Sequence, residues 1–194
     1  MFVPGEKMKE IESILPSESI VHTGITALLS DKRDTKIKWR SGDPGSGKRA
    51  IELPNAVKYN LTGKEAHISS RYVLGYMNDH YVVGEQYGNQ STHVVCEISN
   101  CTLSVGVESF SLNWPAEAKP TYFEDDYIAG CFKITEEDTL MKCCLKCKLR
   151  DSCRSLYYDE KSNRCWLSLY VDSRLPNAAS KIGGNWQRYG RQEW

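Results

Sequence analysis

The run Cys143-Cys144-Leu145-Lys146-Cys147, followed by Cys153 and Cys165, constrains this chain more than any other feature. Leu140, Cys143, Cys144 and Cys147 fall at i, i+3, i+4 and i+7, the spacing of one buried helix face. A helix is therefore predicted over 136–149, acidic in its first turn and basic near its end, as the helix dipole favours. Leu156, Tyr157 and Tyr158 read as a strand, Asp159 to Asn163 as a turn, and Cys165-Trp166-Leu167 as the returning strand. Cys143, Cys144, Cys147 and Cys153 offer thiolates for zinc as well as for disulfides. Adjacent cysteines before a C-x-x-C are not a usual zinc spacing, no second C-x-x-C follows, and no His follows His93. The reading is therefore a disulfide framework.

All eight cysteines (96, 101, 131, 143, 144, 147, 153 and 165) lie in the second half of the 194 residues. Three N-glycosylation sequons accompany them, at Asn60, Asn89 and Asn100. An even, clustered cysteine set with several sequons points to an oxidising, secretory environment, secreted or at the cell surface. Met1 to Lys7 lacks the apolar core of a signal peptide, so the sequence reads as starting inside a longer protein. No run of about 18 apolar residues predicts a transmembrane helix.

Met8, Ile11, Ile14 and Leu15 predict a short amphipathic helix over 6–15, ended by Pro16. Strand-like pieces follow within 21–39, 66–76, 80–83 and 93–98. The stretch from Asn113 to Pro120, with two prolines, reads as part of a linker over 113–126, between units at 1–112 and 127–194. Gly42 to Lys48 has the G-x-x-x-x-G-K spacing of a phosphate-binding loop, but Arg49 stands where the magnesium-holding hydroxyl belongs, and no continuous apolar strand precedes it. Nucleotide binding is not expected. The four histidines (22, 67, 80 and 93) lack metal spacing and no G-x-S-x-G occurs, so no nucleophile–base pair emerges and no enzyme is expected.

The cysteine unit, over roughly 127–191, resembles a PAN/apple domain. The matching pieces are Cys143 and Cys147 on a helix, Cys153, the strand Tyr157-Tyr158, and Cys165-Trp166-Leu167. The resemblance implies disulfides Cys143–Cys165 and Cys147–Cys153, which staple a helix to an antiparallel sheet. The end-joining bridge of some apple domains has no cysteine here, since none follows Cys165. Cys131 and Cys144 are taken as a further pair.

The N-terminal part resembles a truncated, degenerate C-type lectin-like domain. His22-Thr23-Gly24-Ile25, Lys38 to Gly42, Tyr76 to Asp79 and Val94 to Ile98 are similar, in order, to that family's W-x-G-L, W-S-D-G, W-N-D and F-I-C-E-I segments. The helix over 6–15 would be the family's second. The family's inner bridge is lost, because its cysteines fall near His67 and His80-Tyr81, and Cys96 is left to pair locally with Cys101. Calcium-dependent sugar binding in this family uses carboxylate and amide oxygens. The positions nearest to that set are Glu52, Asn55, Glu65, Asn78 and Asp79, of which Asn78-Asp79 reads equally as an ordinary turn. Both resemblances together imply an α+β chain.

Charge is unevenly spread. Between Lys142 and Arg191 there are eleven Lys and Arg against four Asp and Glu, although the whole chain has zero formal net charge. The expectation is a non-enzymatic recognition or adhesion protein for glycans or glycoproteins. Lys142, Lys146, Lys148, Arg150, Arg154 and Arg164 would meet a sulfated or sialylated chain. The rival expectation is a protein-interaction module using Trp166, Tyr170 and Trp186. No nucleic-acid partner is expected.

Overall fold

Thr139 decides where the cysteine helix begins. Its hydroxyl accepts from the Lys142 backbone N–H at 3.3 Å, an N-cap that starts helix α1 at Leu140 and runs it to Lys148. The expected start at 136 is too early. Strand β7 (Cys131–Glu136) carries hydrogen-bonded pairing through Glu136, which sits opposite Arg164. Glu137 and Asp138 consequently precede the helix rather than fill its first turn.

The computed structural model describes residues 12–16, 19, 21–27, 29, 39–41, 72–77, 80–85, 106–114, 123–124, 131–170, 172–182 and 184–192. The chain divides into two compact units, Met1–Ser99 and Asn100–Trp194. Among the described residues the fold is α+β and its main sheets are antiparallel.

In the first unit, Glu12–Ile14 form a 3-10 turn with Ile14 exposed, so this part does not supply the apolar helix face expected of 6–15. Strand β1 (Val21–Thr26) lies between β2 (Arg40–Ser41) and β3 (Tyr72–Met77), and β4 (His80–Glu85) completes the order β2-β1-β3-β4. Described parts of three of the four segments likened to a lectin domain, residues 22–25, Arg40–Ser41 and 76–77, thus meet in one sheet. Val21, Ile25 and Trp39 are buried there.

The second unit has the sheet order β5-β11-β8-β9-β7. Its centre is the expected hairpin, β8 (Cys153–Asp159) and β9 (Arg164–Leu169). Strand β11 is Gln187–Arg191, and β5 is Phe110–Leu112. Because β5 pairs with β11, residues 110–112 belong to this sheet rather than to the N-terminal unit. Asn113 and Trp114 are also held: the Asn113 N–H donates to the Arg188 carbonyl at 2.8 Å, and the Arg188 guanidinium donates to the Trp114 carbonyl. Asn113 takes a positive φ of 55°, which asparagine tolerates better than most residues. Gly190 is required opposite this turn, since a Cβ there would lie 2.3 Å from the Trp114 oxygen.

Helix α1 covers one face of the sheet. Cys143 and Cys147 pack there with Leu156, Tyr158, Cys165 and Leu167. The other face holds Tyr157, Trp166 and Trp186 with Leu175 of β10 (Leu175–Pro176) and Ala179 of the short helix α2 (Asn177–Lys181). Strand β10 pairs in parallel with β6 (Phe123–Glu124), within the expected linker. The register of β8 on β9 shifts between Cys153 and Ser155, where two residues oppose one. That extra residue, Arg154, puts Cys153 on the same face as Leu156 and Tyr158, within reach of the helix.

Both disulfides implied by the resemblance form: Cys143–Cys165 and Cys147–Cys153. They close loops with sequence separations of 22 and 6. In the chain-entropy account these contribute about 3 and about 2 kcal/mol. Urea unfolding of Cys143→Ala/Cys165→Ala should therefore show a greater loss than Cys147→Ala/Cys153→Ala.

Candidate functional site

The six basic residues do not converge on one open surface. Lys142 pairs with Asp138 at 2.7 Å, and Lys146 pairs with the buried Glu137. Lys148 donates to the Gly106 carbonyl. Arg154 is 5% exposed, and its charge acts on Asp172 inside the unit. Arg150 and Arg164 are partly buried, Arg164 at the start of β9. Much of the C-terminal positive charge is therefore spent internally, as Arg188 and Arg191 also are. Arg188 binds Asp172 at 2.8 Å, and Arg191 binds Glu108 at 2.5 Å and donates to the Arg150 and Cys153 carbonyls.

The aromatic surface is corrected in the same way. Trp166 and Trp186 are buried, ring centroids 6.0 Å apart in an edge-on arrangement, and only Tyr170 of the three is exposed. Their apolar area is used by the core under α2.

Cys131 and Cys144 are both unbridged thiols. Cys143 turns toward β9, so Cys144, about 100° further round the helix, turns toward Phe110 and Tyr189 at the other side of the sheet. Cys131 starts β7 on the opposite edge and is exposed. The pairing assumed from sequence spans the wrong edges. Three of the four thiols offered for zinc are consumed by the two bridges. Among the described residues no group of three His, Cys, Asp or Glu converges as a metal site. Glu52, Asn55, Glu65, Asn78 and Asp79, the sequons at Asn60, Asn89 and Asn100, the loop 42–48, and Cys96 and Cys101 lie outside the described residues.

A groove of about 910 Å³ runs between α1 and the segment 106–110. Leu140, Cys144 and Leu145 form its helical wall, facing Val107, Phe110 and Tyr189. Burial pushes the Cys144 thiol up to about 11, so it is protonated at neutral pH and acts as an apolar wall group. The apolar surface is exposed along α1: Met141 and Leu145, which also line the groove, and Leu149 just past the helix end are 77%, 52% and 68% exposed. These residues recur at i, i+4 and i+8, a second apolar stripe that the sequence carried opposite Cys143 and Cys147. Sequence reasoning missed it because the first stripe already accounted for the helix. It missed Glu108 and Phe110 because nothing local ties them to a helix 30 residues later.

Two carboxylates, Asp159 fully buried and Asp172 partly buried, hold the rest of this unit in place. Burial pushes the Asp159 carboxyl up, but the Ser162 hydroxyl and the N–H groups of Asn185, Lys161 and Ser162 outweigh it and hold the carboxyl below its ordinary value. Gly184, at a φ of 131°, lets the chain pass, since a Cβ would meet the Asp159 carboxylate at 1.9 Å. For Asp172, burial again raises, and the Arg188 and Arg154 charges, with bonds from Ser155 and Arg188, lower it further.

No protein-family model matches the chain, and neither a curated protein nor a solved structure matches it. No helix among the described residues is long and apolar enough to cross a membrane.

Because both carboxyls are depressed below the ordinary 3.8 in the fold, the stability they contribute is present above about pH 4 and is lost as pH falls through their folded values. Urea midpoints should hold between pH 7 and 5 and decline below about pH 4; Asp159→Asn should flatten that decline. Arg188→Ala should cost about 3–5 kcal/mol at pH 7, because it strands Asp172 beside a buried void.

Proposed function

We propose that this chain is a non-enzymatic recognition module of a secreted or cell-surface protein, and that its C-terminal unit holds a protein or glycoprotein partner through the apolar stripe of α1. The carrying observation is that Met141, Leu145 and the C-cap residue Leu149 stand exposed along a helix that two disulfides lock in place. A contiguous apolar patch on a rigid element costs solubility and marks an interaction surface. Rigidity adds to affinity, because little conformational freedom is lost on binding. The disulfide-stapled helix on a sheet, the lectin-like segments and the sequons support the extracellular setting. Contact with a sulfated or sialylated glycan is the weaker reading, because Lys142 and Lys146 already have carboxylate partners.

The test is staining of intact cells of the source organism with the labelled, secreted chain. Staining should survive chelator, heparinase and sialidase, should disappear after surface proteolysis, and should fall about 10-fold or more in Met141→Asp/Leu149→Asp, where apolar burial is lost. Staining abolished by heparinase, or retention on heparin that falls steeply between 50 and about 300 mM salt, would transfer the function to the cationic residues.

A further inference from the structure

Strand β7 ends the five-stranded sheet, with β9 on one flank and no strand on the other among the described residues. Cys131 and Lys133 are exposed on one face and Ile134 and Glu136 on the other, so this edge is open from both sides. One bond just past the strand shows where its backbone groups point. The Glu137 N–H donates to the Asn163 carbonyl at 2.7 Å, and this pair continues the unbroken register that sets Cys131 opposite Leu169 and Glu136 opposite Arg164. Antiparallel pairs alternate between bonded and non-bonded. Cys131, Lys133 and Thr135 therefore turn their N–H and C=O groups to β9, and Phe132, Ile134 and Glu136 turn theirs away from the sheet. Ile134 is the middle of these three and is 55% exposed, although Trp166 opposite it is buried. Proline and bulges commonly protect a free edge, and β7 has neither.

We propose that β7 pairs antiparallel with β7 of a second copy of this chain, about a two-fold axis at Ile134, to make one continuous sheet with five strands from each copy. An axis normal to the sheet sets even-numbered residues opposite even-numbered ones, which are the residues with outward groups. With Ile134 opposite Ile134, Phe132 meets Glu136 of the second copy and Glu136 meets its Phe132. Each of these pairs exchanges two hydrogen bonds, so every outward N–H and C=O of both edges is used. The two exposed Ile134 side chains pack against each other at the axis. Charge selects the same register. Lys133 falls opposite Thr135 of the second copy, whereas an axis at Lys133 would oppose two lysines. An axis at Thr135 would carry Phe132 past the end of the second strand, opposite Asp138. A strand pair of this length buries less than a standard interface, so the dimer is reversible. The α1 groove lies by β5 and β11, at the other edge of the sheet. Pairing through β7 therefore leaves both apolar stripes of α1 open and makes the recognition surface bivalent.

The experiment is sedimentation of the full oxidised chain from about 5 to about 500 µM, a span suited to a small interface. The mass should rise from monomer toward dimer across it. Ile134→Pro removes an outward N–H and no bond to β9, a change that edge strands accept. It should weaken the dimer about 10-fold or more, the worth of the two central bonds, and keep both disulfides. Ile134→Lys should do the same by placing two cations at the axis. Cys131 is exposed and accepts a nitroxide label. In the dimer the two Cys131 positions lie six residues apart along the paired strands, about 20 Å, and pulsed dipolar spectroscopy should report that separation extended by the label arms and absent from Cys131→Ser. A chain that stays monomeric over the whole span overturns the inference. So does a dimer that survives both Ile134 variants, one that is lost only in Met141→Asp/Leu149→Asp, or one whose spin separation fits another register. The mass and the separation are read on a chain with native Ile134, so they decide even where a variant fails to fold. Cell staining enters none of these outcomes, and the recognition reading stands or falls separately.

Discussion

Two covalent bonds from one helical turn to two neighbouring strands organise the C-terminal unit. A nine-residue helix is too short to persist in water by itself. Cys143 and Cys147 lie one turn apart, and their partners Cys165 and Cys153 stand on β9 and β8, which are hydrogen-bonded to each other. The bridges therefore fix the helix's rotation as well as its position. With one face held by sulfur, the opposite face is released from any packing duty. That freedom permits Met141, Leu145 and Leu149 to remain in solvent, where a helix held only by hydrophobic burial would be under pressure to turn them inward.

The same sheet explains the charge distribution. Its two faces are both covered, so the polar side chains of β8 and, on β11, Arg188 and Arg191 are cut off from water. Arg154, Arg188 and Arg191 are buried there, and the fold answers them with Asp172, Glu108 and backbone carbonyls. Arginine suits this role because its planar fork makes several bonds while staying charged. Arg188 bridges Asp172 to the Trp114 carbonyl, and Arg191 bridges Glu108 to the chain around Cys153. Two cations thereby tie the segment 106–114 to the sheet and, in doing so, build the second wall of the α1 groove.

Local patterns in the sequence were legible where the physics is local. The hairpin β8–β9 followed from two apolar runs around an Asp159–Asn163 turn. The helix followed from its 3.6-residue period, although its start moved to Leu140 because pairing of β7 with β9 competes for Glu136. A run of like charge, in contrast, says nothing about which side chains are buried, so six cations that read as one surface resolve into ion pairs, a buried guanidinium and partly covered residues. Aromatic residues suffer the same ambiguity: Trp166 and Trp186 are as consistent with a core as with an interface until the second face of the sheet is seen to be covered.

By itself the sequence determined the class of the C-terminal unit, a disulfide-stapled helix on an antiparallel hairpin, because cysteine spacing and hydrophobic period are set within a few residues. Only the tertiary structure decided that Phe110–Leu112 joins this sheet, that Cys144 and Cys131 face opposite edges, and that Glu108 lies beside the α1 groove in a pair with Arg191. Each of these depends on pairing between segments far apart in the chain, and such pairing is chosen by the burial and hydrogen bonding of the whole unit rather than by any window of sequence.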